Sequence, residues 1–315
     1  MILSVICPVF NGEQYITKNI LSFFVNARPI DKELIIIDGG SNDNTIEIVK
    51  DWIEKYQNIK LLNNPYKYVP HALNIGIRES RGNFIARLDV HTRYPIDYFE
   101  KCIELSETIH ADNVGGTIIS CGVSLAGKSI AYCMSSLFGV GNSTPRIKGF
   151  DGYVDSIAFG FWDKQIFNKY GFFDETLVKN QDEDHNYLII DNGGRVYQSS
   201  EIKTRYFVRE KVIDLIKQMY FYGLYKPPVL LKNFSRIKIR HIIPSIFSCY
   251  IFTILFSSSS FWLTPLYLYL LIDIFYSIIN KESILIKINC LFIFPIMHMS
   301  YGIGFILGLL NVRKK

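Results

Sequence analysis

No two cysteines of this 315-residue chain are spaced as CxxC. Cys7, Cys102, Cys121, Cys133, Cys249 and Cys290 are scattered, so reduced thiols are expected. No GxGxxG follows the first apolar run and no GxSxG occurs, which argues against a dinucleotide enzyme and against a hydrolase built on a nucleophile elbow. Met1-Ile-Leu-Ser runs straight into an apolar strand and does not look like a cleavable signal; the amino-terminal part is expected to stay in the cytoplasm. Charge is scarce at the other end, where Asp273, Lys281, Glu282 and Lys287 are the only charged side chains from Ile242 to Leu310. What is present, 49% hydrophobic and 20% charged residues, excludes a disordered or coiled-coil chain and speaks against a simple soluble globule.

The net charge of +5 conceals a division. Residues 1–202 carry 19 basic and 25 acidic side chains, residues 203–241 carry 10 and 2, and residues 242–315 carry 5 and 2. The chain is acidic, then basic, then apolar. Runs from Ile242 to Trp262, Pro265 to Ile279 and Ile288 to Leu310 reach or approach the length that a bilayer core of about 30 Å requires. A membrane region of two or three helices is therefore expected over 242–315. Arg236, Lys238, Arg240 and His241 before the first run, and Arg313-Lys314-Lys315 after the last, both read as cytoplasmic. That demands an even number of crossings, so one of the three runs lies in the interface or re-enters, or the terminal cluster is outside. Asp273 reads either as a packing feature or as half of a polar pair at membrane depth. The basic stretch 203–241, with its Tyr and Phe residues, is expected to lie amphipathically on anionic lipid.

The first 90 residues alternate between two patterns. Apolar runs at Ile2–Pro8, Glu33–Ile37, Ile59–Leu62 and Phe84–Leu88 predict strands, separated by predicted helices at about 14–25, 45–56 and 70–80. Such alternation indicates a parallel sheet with helices on both faces, whose binding crevice lies at the carboxyl ends of the strands. Those ends carry Pro8-Val-Phe-Asn-Gly-Glu13, Asp38 and Asp89-Val-His91. Carboxylates and a histidine thus converge on one edge, an arrangement suited to a nucleotide and a divalent cation bridging its phosphates. Taken alone, Asp38 reads first as a turn residue, and Asp-x-His is a weak signal.

Together, Ser4-Val-Ile-Cys-Pro-Val-Phe-Asn-Gly-Glu13, Glu33-Leu-Ile-Ile-Ile-Asp-Gly-Gly-Ser-Asn-Asp-Asn-Thr45 and Asp89-Val-His91 resemble the family 2 inverting glycosyltransferases of GT-A fold. Asn74-Ile-Gly-Ile, Arg81-Gly82, Arg87-Leu-Asp-Val-His91 with Tyr94-Pro95, Asn180-Gln-Asp-Glu-Asp-His-Asn186, Gln218-Met-Tyr-Phe-Tyr-Gly223 and His298-Met-Ser-Tyr-Gly-Ile-Gly-Phe305 are similar to a membrane-bound subgroup of the succinoglycan-biosynthesis type. His91 stands where the family's metal-binding motif has its second Asp.

The resemblance implies an α/β GT-A domain over 1–202, the basic interfacial region over 203–241, and transmembrane helices over 242–315. It implies transfer of a sugar from a nucleotide sugar, expected to be UDP-linked, to a lipid-linked or growing glycan in bacterial surface polysaccharide synthesis. The enzyme would be multi-pass in the inner (plasma) membrane, with its catalytic domain cytoplasmic and no nucleic-acid partner. Pro8, Phe10, Glu13, Asp38 and Asp89 would bind the nucleotide, and Asp89 with His91 would hold Mn or Mg. Asp182 would be the catalytic base, with Glu183 and Asp184 as secondary candidates; like-charge repulsion in that triplet would raise one pKa toward neutrality. The same triplet also reads as an ordinary acidic helix start. Asp155 and Gln218 are candidates for the acceptor or diphosphate; Phe159, Phe161 and Trp162 read either as sugar contacts or as core. A nucleotidyltransferase of similar sheet and a non-catalytic nucleotide-binding scaffold are the alternatives. The first normally has a glycine-rich loop with a nearby basic residue, and Asn11-Gly12-Glu13-Gln14 offers one glycine and no base.

Overall fold

The computed structural model describes residues 2–25, 29–146, 149–254, 256 and 260–312. The cluster Arg313-Lys314-Lys315 lies outside the described residues. In chain order the elements are β1 (Leu3–Val9), α1 (Ile16–Phe24), β2 (Lys32–Asp38), α2 (Thr45–Lys55), β3 (Ile59–Asn63), α3 (Val69–Glu79), β4 (Phe84–Arg87) and β5 (Thr92–Arg93). There follow α4 (Tyr98–Ile109), β6 (Asn113–Cys121), α5 (Leu125–Cys133), α6 (Leu137–Val140), β7 (Gly152–Tyr153), β8 (Phe161–Asp163), α7 (Gln165–Lys169), α8 (Gln181–Asp191) and β9 (Val196–Phe207). The last part is helical: α9 (Val212–Leu224), α10 (Lys226–Lys232), α11 (Ile239–Ile254), α12 (Thr264–Ile279) and α13 (Ile284–Val312).

The chain packs as two units, 1–119 with 148–206, and 120–147 with 207–315. In the first, a nine-stranded mixed sheet runs β3-β2-β1-β4-β8-β6-β9-β5, with β7 beside β9. The four strands predicted from the apolar runs are the parallel part, β2 with β1 and β3, and β1 with β4. β8 is antiparallel to β4 and β6, and β5 and β7 are antiparallel to β9. Strand alternation sends Val5 and Cys7 of β1 into a core with Ile16, Ile20 and Phe23 of α1, and Ile6 into a second core with Leu73 and Ile77 of α3. Each fully buried aliphatic or aromatic side chain there contributes roughly 1.5–3 kcal/mol.

The register fixes the working edge, because Val9 lies opposite Asp38 and Ile6 opposite Arg87, so β1, β2 and β4 finish side by side. At the other end of β1 the buried Ser4 hydroxyl donates to Glu33 Oε1 at 2.7 Å and accepts from the Gly82 amide at 2.8 Å. A Cβ at Gly82 would lie 2.4 Å from the Ser4 nitrogen, so the turn into β4 needs glycine.

The second unit is where linear composition and packing diverge. Residues 120–147, acidic-domain residues by sequence position, pack with the carboxyl-terminal helices; α5 and α6 lie against α13. The basic stretch 203–241 is not one continuous surface helix: α9 packs along α13, burying Leu215, Met219 and Gly223. Glycines permit the approach, since a Cβ at Gly304 would lie 2.1 Å from the Tyr220 carbonyl oxygen, and one at Gly302 2.1 Å from that of Pro244. His298 is a packing residue too: Nε2 donates to the Phe138 carbonyl at 2.9 Å, which leaves Nδ1 to accept from Tyr269 at 2.9 Å. Asp273 is buried and its Oδ1 accepts from Ser277 at 3.1 Å. Two stretches, Phe261–Ile279 and Ile284–Val312, are long and apolar enough to cross a membrane by length and composition, and Ile239–Ile254 is a shorter apolar helix. All six cysteines are free.

Candidate active site

The loops after β1 and β2 are tied together by reciprocal bonds. The Asn11 amide donates to Ser41 Oγ at 2.8 Å, and the Asn42 amide returns to Asn11 Oδ1 at 2.9 Å. Asn11 sits at φ +49°, a conformation asparagine tolerates better than most residues. The Glu13 amide donates to Asp43, while Glu13 Oε2 accepts from the Asn44 amide at 3.0 Å and so anchors the start of α2. Between these loops Asp38 is 4% exposed. Its Oδ2 accepts from the Gly40 and Ser41 amides at 2.8 and 3.0 Å, a local turn, but its buried Oδ1 has no partner. A buried carboxylate oxygen without a partner is unusual, since buried polar atoms are normally hydrogen-bonded. Pro8 is half-buried and Phe10 is 54% exposed at the same edge. The sequence reading missed Tyr66 and Tyr68, exposed aromatics on the loop after β3 that is tied to β2 by the Asn64 amide bonding the Asp38 carbonyl.

The centre of the edge is Arg87, which the sequence reading quoted within a motif and gave no role. Its side chain is 6% exposed at the end of β4. Nε donates to Asp89 Oδ1 at 2.7 Å and Nη2 to Asp89 Oδ2 at 3.1 Å, a bidentate pair, while Nη1 donates to Asp182 Oδ1. Asp89 itself is pinned through its backbone: its carbonyl accepts from Asn19 at 2.9 Å and its amide donates to Tyr94 Oη at 3.1 Å. Burial alone would lower the Arg87 pKa, but the charges of Asp182 and Asp89 outweigh it and raise it, so this guanidinium is permanently charged.

Asp182 reaches that pair from α8, whose N-cap Asn180 is left-handed at φ +64°. Successive helical residues diverge by about 100°, so the three adjacent carboxylates part company. Asp182, with 25% of its side chain exposed, faces Arg87. Glu183 turns inward and accepts from Tyr187 Oη at 2.7 Å, and Asp184 is 4% exposed. His185 packs against both Phe173 and Phe167, with ring centroids at 4.4 and 5.4 Å, where burial pushes it down to about 4. The Asp182 pKa is raised, first by burial, against the opposing Arg87 charge, with Asp89 and then Glu183 adding to the rise. Repulsion within the triplet is the smallest of these causes. Its quarter exposure keeps the carboxylate reachable from solvent.

The remaining candidates are placed less centrally. His91 is half-buried with its ring edge-on to Tyr15 at 4.5 Å. Among the described residues no group of three or more His, Cys, Asp or Glu side chains is gathered as a metal site. Asp89 and His91 offer a carboxylate and an imidazole on a half-open edge, which fit Mn or Mg only where phosphate oxygens and water complete the shell. Asp155 lies in the β7–β8 loop next to Ser156, whose Oγ meets Asn186 of α8 at 3.5 Å. Phe161 and Trp162 are core. Phe159 is buried too, yet it holds φ +54°, rare for a bulky residue, with its ring 6.0 Å from Arg87 Cζ. Gln218 belongs to the second unit, on α9, where Nε2 donates to Tyr222 at 3.1 Å.

Also in the second unit, Gly122-Val-Ser-Leu-Ala-Gly-Lys-Ser129 joins β6 to α5 with the spacing of a phosphate loop. Its amides are already engaged, because the Glu210 carboxylate accepts from the Val123 and Ser124 amides at 2.9 and 2.8 Å. Ser124 caps α5 by accepting from the Gly127 amide at 2.9 Å, and the Glu210 carboxylate holds the turn before it.

Comparison with known proteins bears on the same residues. The family model for Glycosyl transferase family 2 matches residues 4–171. A dolichyl N-acetyl-alpha-D-glucosaminyl phosphate 3-beta-D-2,3-diacetamido-2,3-dideoxy-beta-D-glucuronosyltransferase of Methanococcus voltae is 29% identical over 245 residues, 75% of this chain and 76% of that one. Succinoglycan biosynthesis protein ExoA of Rhizobium meliloti is 25% identical over 242 residues, 76% of this chain and 73% of that one. Among solved structures, the mannosyltransferase PcManGT from Pyrobaculum calidifontis, in complex with GDP-Man and Mn2+, matches 98% of this chain and 87% of its own with a TM-score of 0.67 at 14% identity. That likeness is one of fold.

Proposed function

This chain belongs to glycosyl transferase family 2, and from that membership we propose that it moves a sugar from a nucleotide donor, UDP-linked, to a lipid-linked glycan at a membrane, with inversion, in surface polysaccharide synthesis. One observation carries the reading: Arg87 draws Asp182 and Asp89 to a single guanidinium at the carboxyl ends of the parallel strands. Family membership as a glycosyltransferase sets the nucleotidyltransferase and scaffold alternatives aside.

In this reading Asp182 takes the proton of the acceptor hydroxyl as its oxygen bonds to the anomeric carbon and the bond to the nucleoside diphosphate breaks. Its partial exposure and raised pKa suit a base that must be reached by a substrate and release its proton afterwards. Asp38 Oδ1 accepts from an N–H of the nucleobase, with Pro8 and Phe10 beside it, and Glu13 holds the loop rather than the ligand. Asp89 and His91 would hold the divalent cation, which when bound supplies positive charge to the departing diphosphate. Within the first unit, Asp155 is assigned to the acceptor side. The relatives' names, a dolichyl phosphate-linked transferase and a succinoglycan biosynthesis protein, support a lipid-linked acceptor. The two long apolar helices support membrane anchoring; we assign the catalytic unit to the cytoplasmic side on the strength of the basic residues Arg236, Lys238 and Arg240 before the apolar region.

A donor screen by mass spectrometry on detergent-purified protein with Mn2+ tests the assignment, followed by NMR of the anomeric configuration of the product. The expected result is transfer from one nucleotide sugar with the configuration inverted. Retained configuration, or no turnover of any nucleotide sugar, contradicts it.

A further inference from the structure

We infer that Arg87 is an internal counter-cation for the Asp89–Asp182 pair, so that a divalent cation binds at this edge only together with a nucleoside diphosphate. The inference rests on the reading of Asp89 and Asp182 proposed above, and adds to it an order of binding and a positioning role for a residue outside it.

The geometry is specific. A guanidinium presents its donors in a rigid planar fork. Here Nε and Nη2 take both oxygens of Asp89, and Nη1 takes Asp182. The separation of the two carboxylates is therefore set by the width of one Arg side chain. That side chain cannot swing away cheaply: it is 6% exposed and the Phe159 ring lies 6.0 Å from Cζ, while the backbone at its root is held by the Arg87 main-chain amide donating to the Gly160 carbonyl at 3.1 Å. Phe159 holds its left-handed conformation with its carbonyl accepting from Tyr98 Oη at 3.1 Å and its ring stacked on Tyr206. A left-handed conformation at a buried aromatic beside the Arg87 guanidinium is an arrangement the surrounding packing has to enforce.

The electrostatic consequence follows from the charges. Two carboxylates alone would offer a dication two negative charges in a partly desolvated site. With Arg87 between them one charge remains, and the fixed guanidinium repels an incoming cation within a few ångströms. A nucleoside diphosphate supplies the missing negative charge and the oxygen ligands that Asp89 and His91 do not. Cation and diphosphate should therefore bind as strongly coupled ligands.

The test is Mn2+ binding to the detergent-solubilised full chain, read by electron paramagnetic resonance of free Mn2+, without nucleotide, with UDP and with GDP. Wild type is expected to retain Mn2+ with one of the nucleotides and to bind it at least about ten-fold more weakly without. Arg87→Met, which keeps length and removes charge, should bind Mn2+ without nucleotide about ten-fold more tightly than wild type, a gain that a merely structural role would not produce. Arg87→Lys should keep the wild-type order of binding, because it keeps the charge. Equal Mn2+ affinity of wild type with and without nucleotide overturns the inference whether or not Arg87→Met folds, and leaves the transferase reading standing. Failure of wild type to bind Mn2+ with either nucleotide counts against the cation-assisted reading itself, and against the inference with it.

Discussion

Asp38→Asn separates a turn residue from a ligand residue at one atom. In the structure Asp38 Oδ2 accepts from the Gly40 and Ser41 amides, and Oδ1 is buried without a partner. An asparagine can place its carbonyl oxygen where Oδ2 is and keep both turn bonds, so the folded loop survives with a stability loss of about 1 kcal/mol at most. Its amino group then occupies the Oδ1 position and presents hydrogens where the proposed nucleobase also presents one. Losing a charge-assisted hydrogen bond there costs roughly 1.5–3 kcal/mol, or about a 10- to 150-fold rise in Kd for UDP. Calorimetry of UDP binding in the presence of Mn2+, with thermal melting of the same samples, reads both quantities. Asp38→Ala should weaken both, since it loses the turn bonds as well. If Asp38→Asn binds UDP as tightly as wild type, Asp38 is a turn residue only and the placement of the base is wrong.

Two further outcomes concern stability. Burial alone would raise the Glu33 carboxyl, but the bonds from Ser4, Arg81 and Lys60 outweigh it and hold the group below its ordinary 4.5. Such a group adds stability that is fully present above 4.5 and is lost as the pH falls below it toward the folded value. Glu33→Gln should therefore be less stable at neutral pH and show a flatter acid limb in denaturant titrations; an unchanged acid limb would show that Glu33 is not linked to folding. Gly304→Leu should destabilise the full chain in detergent by about 3 kcal/mol or prevent its folding, because its Cβ would lie 2.1 Å from backbone that cannot yield. A melting temperature equal to wild type would contradict the α9–α13 packing.

The sequence was informative where short-range pattern decides structure. Apolar runs bounded by Asn11-Gly12, Gly39-Gly40 and Arg81-Gly82 located β1, β2 and β4 within a residue or two, and strand ends then pointed to Asp38 and Asp89. The antiparallel half was less readable, since β5 and β7 are two residues long and β8 is three, too short to show a period. Arg87 read as one more residue of a buried strand because its second partner, Asp182, is 95 residues away. Three consecutive carboxylates cannot be told apart as text; helix geometry turned one toward Arg87 and two inward. Residues 120–147 gave no sign of joining the carboxyl-terminal unit, because their packing partners in α13 lie far along the chain.

The central claim is that Asp182, held by Arg87, removes the proton from the acceptor. Steady-state transfer by Asp182→Asn, measured beside its UDP affinity, tests it most directly. The account predicts a fall in kcat of about 10²- to 10⁴-fold with UDP binding retained. Transfer at the wild-type rate would contradict it.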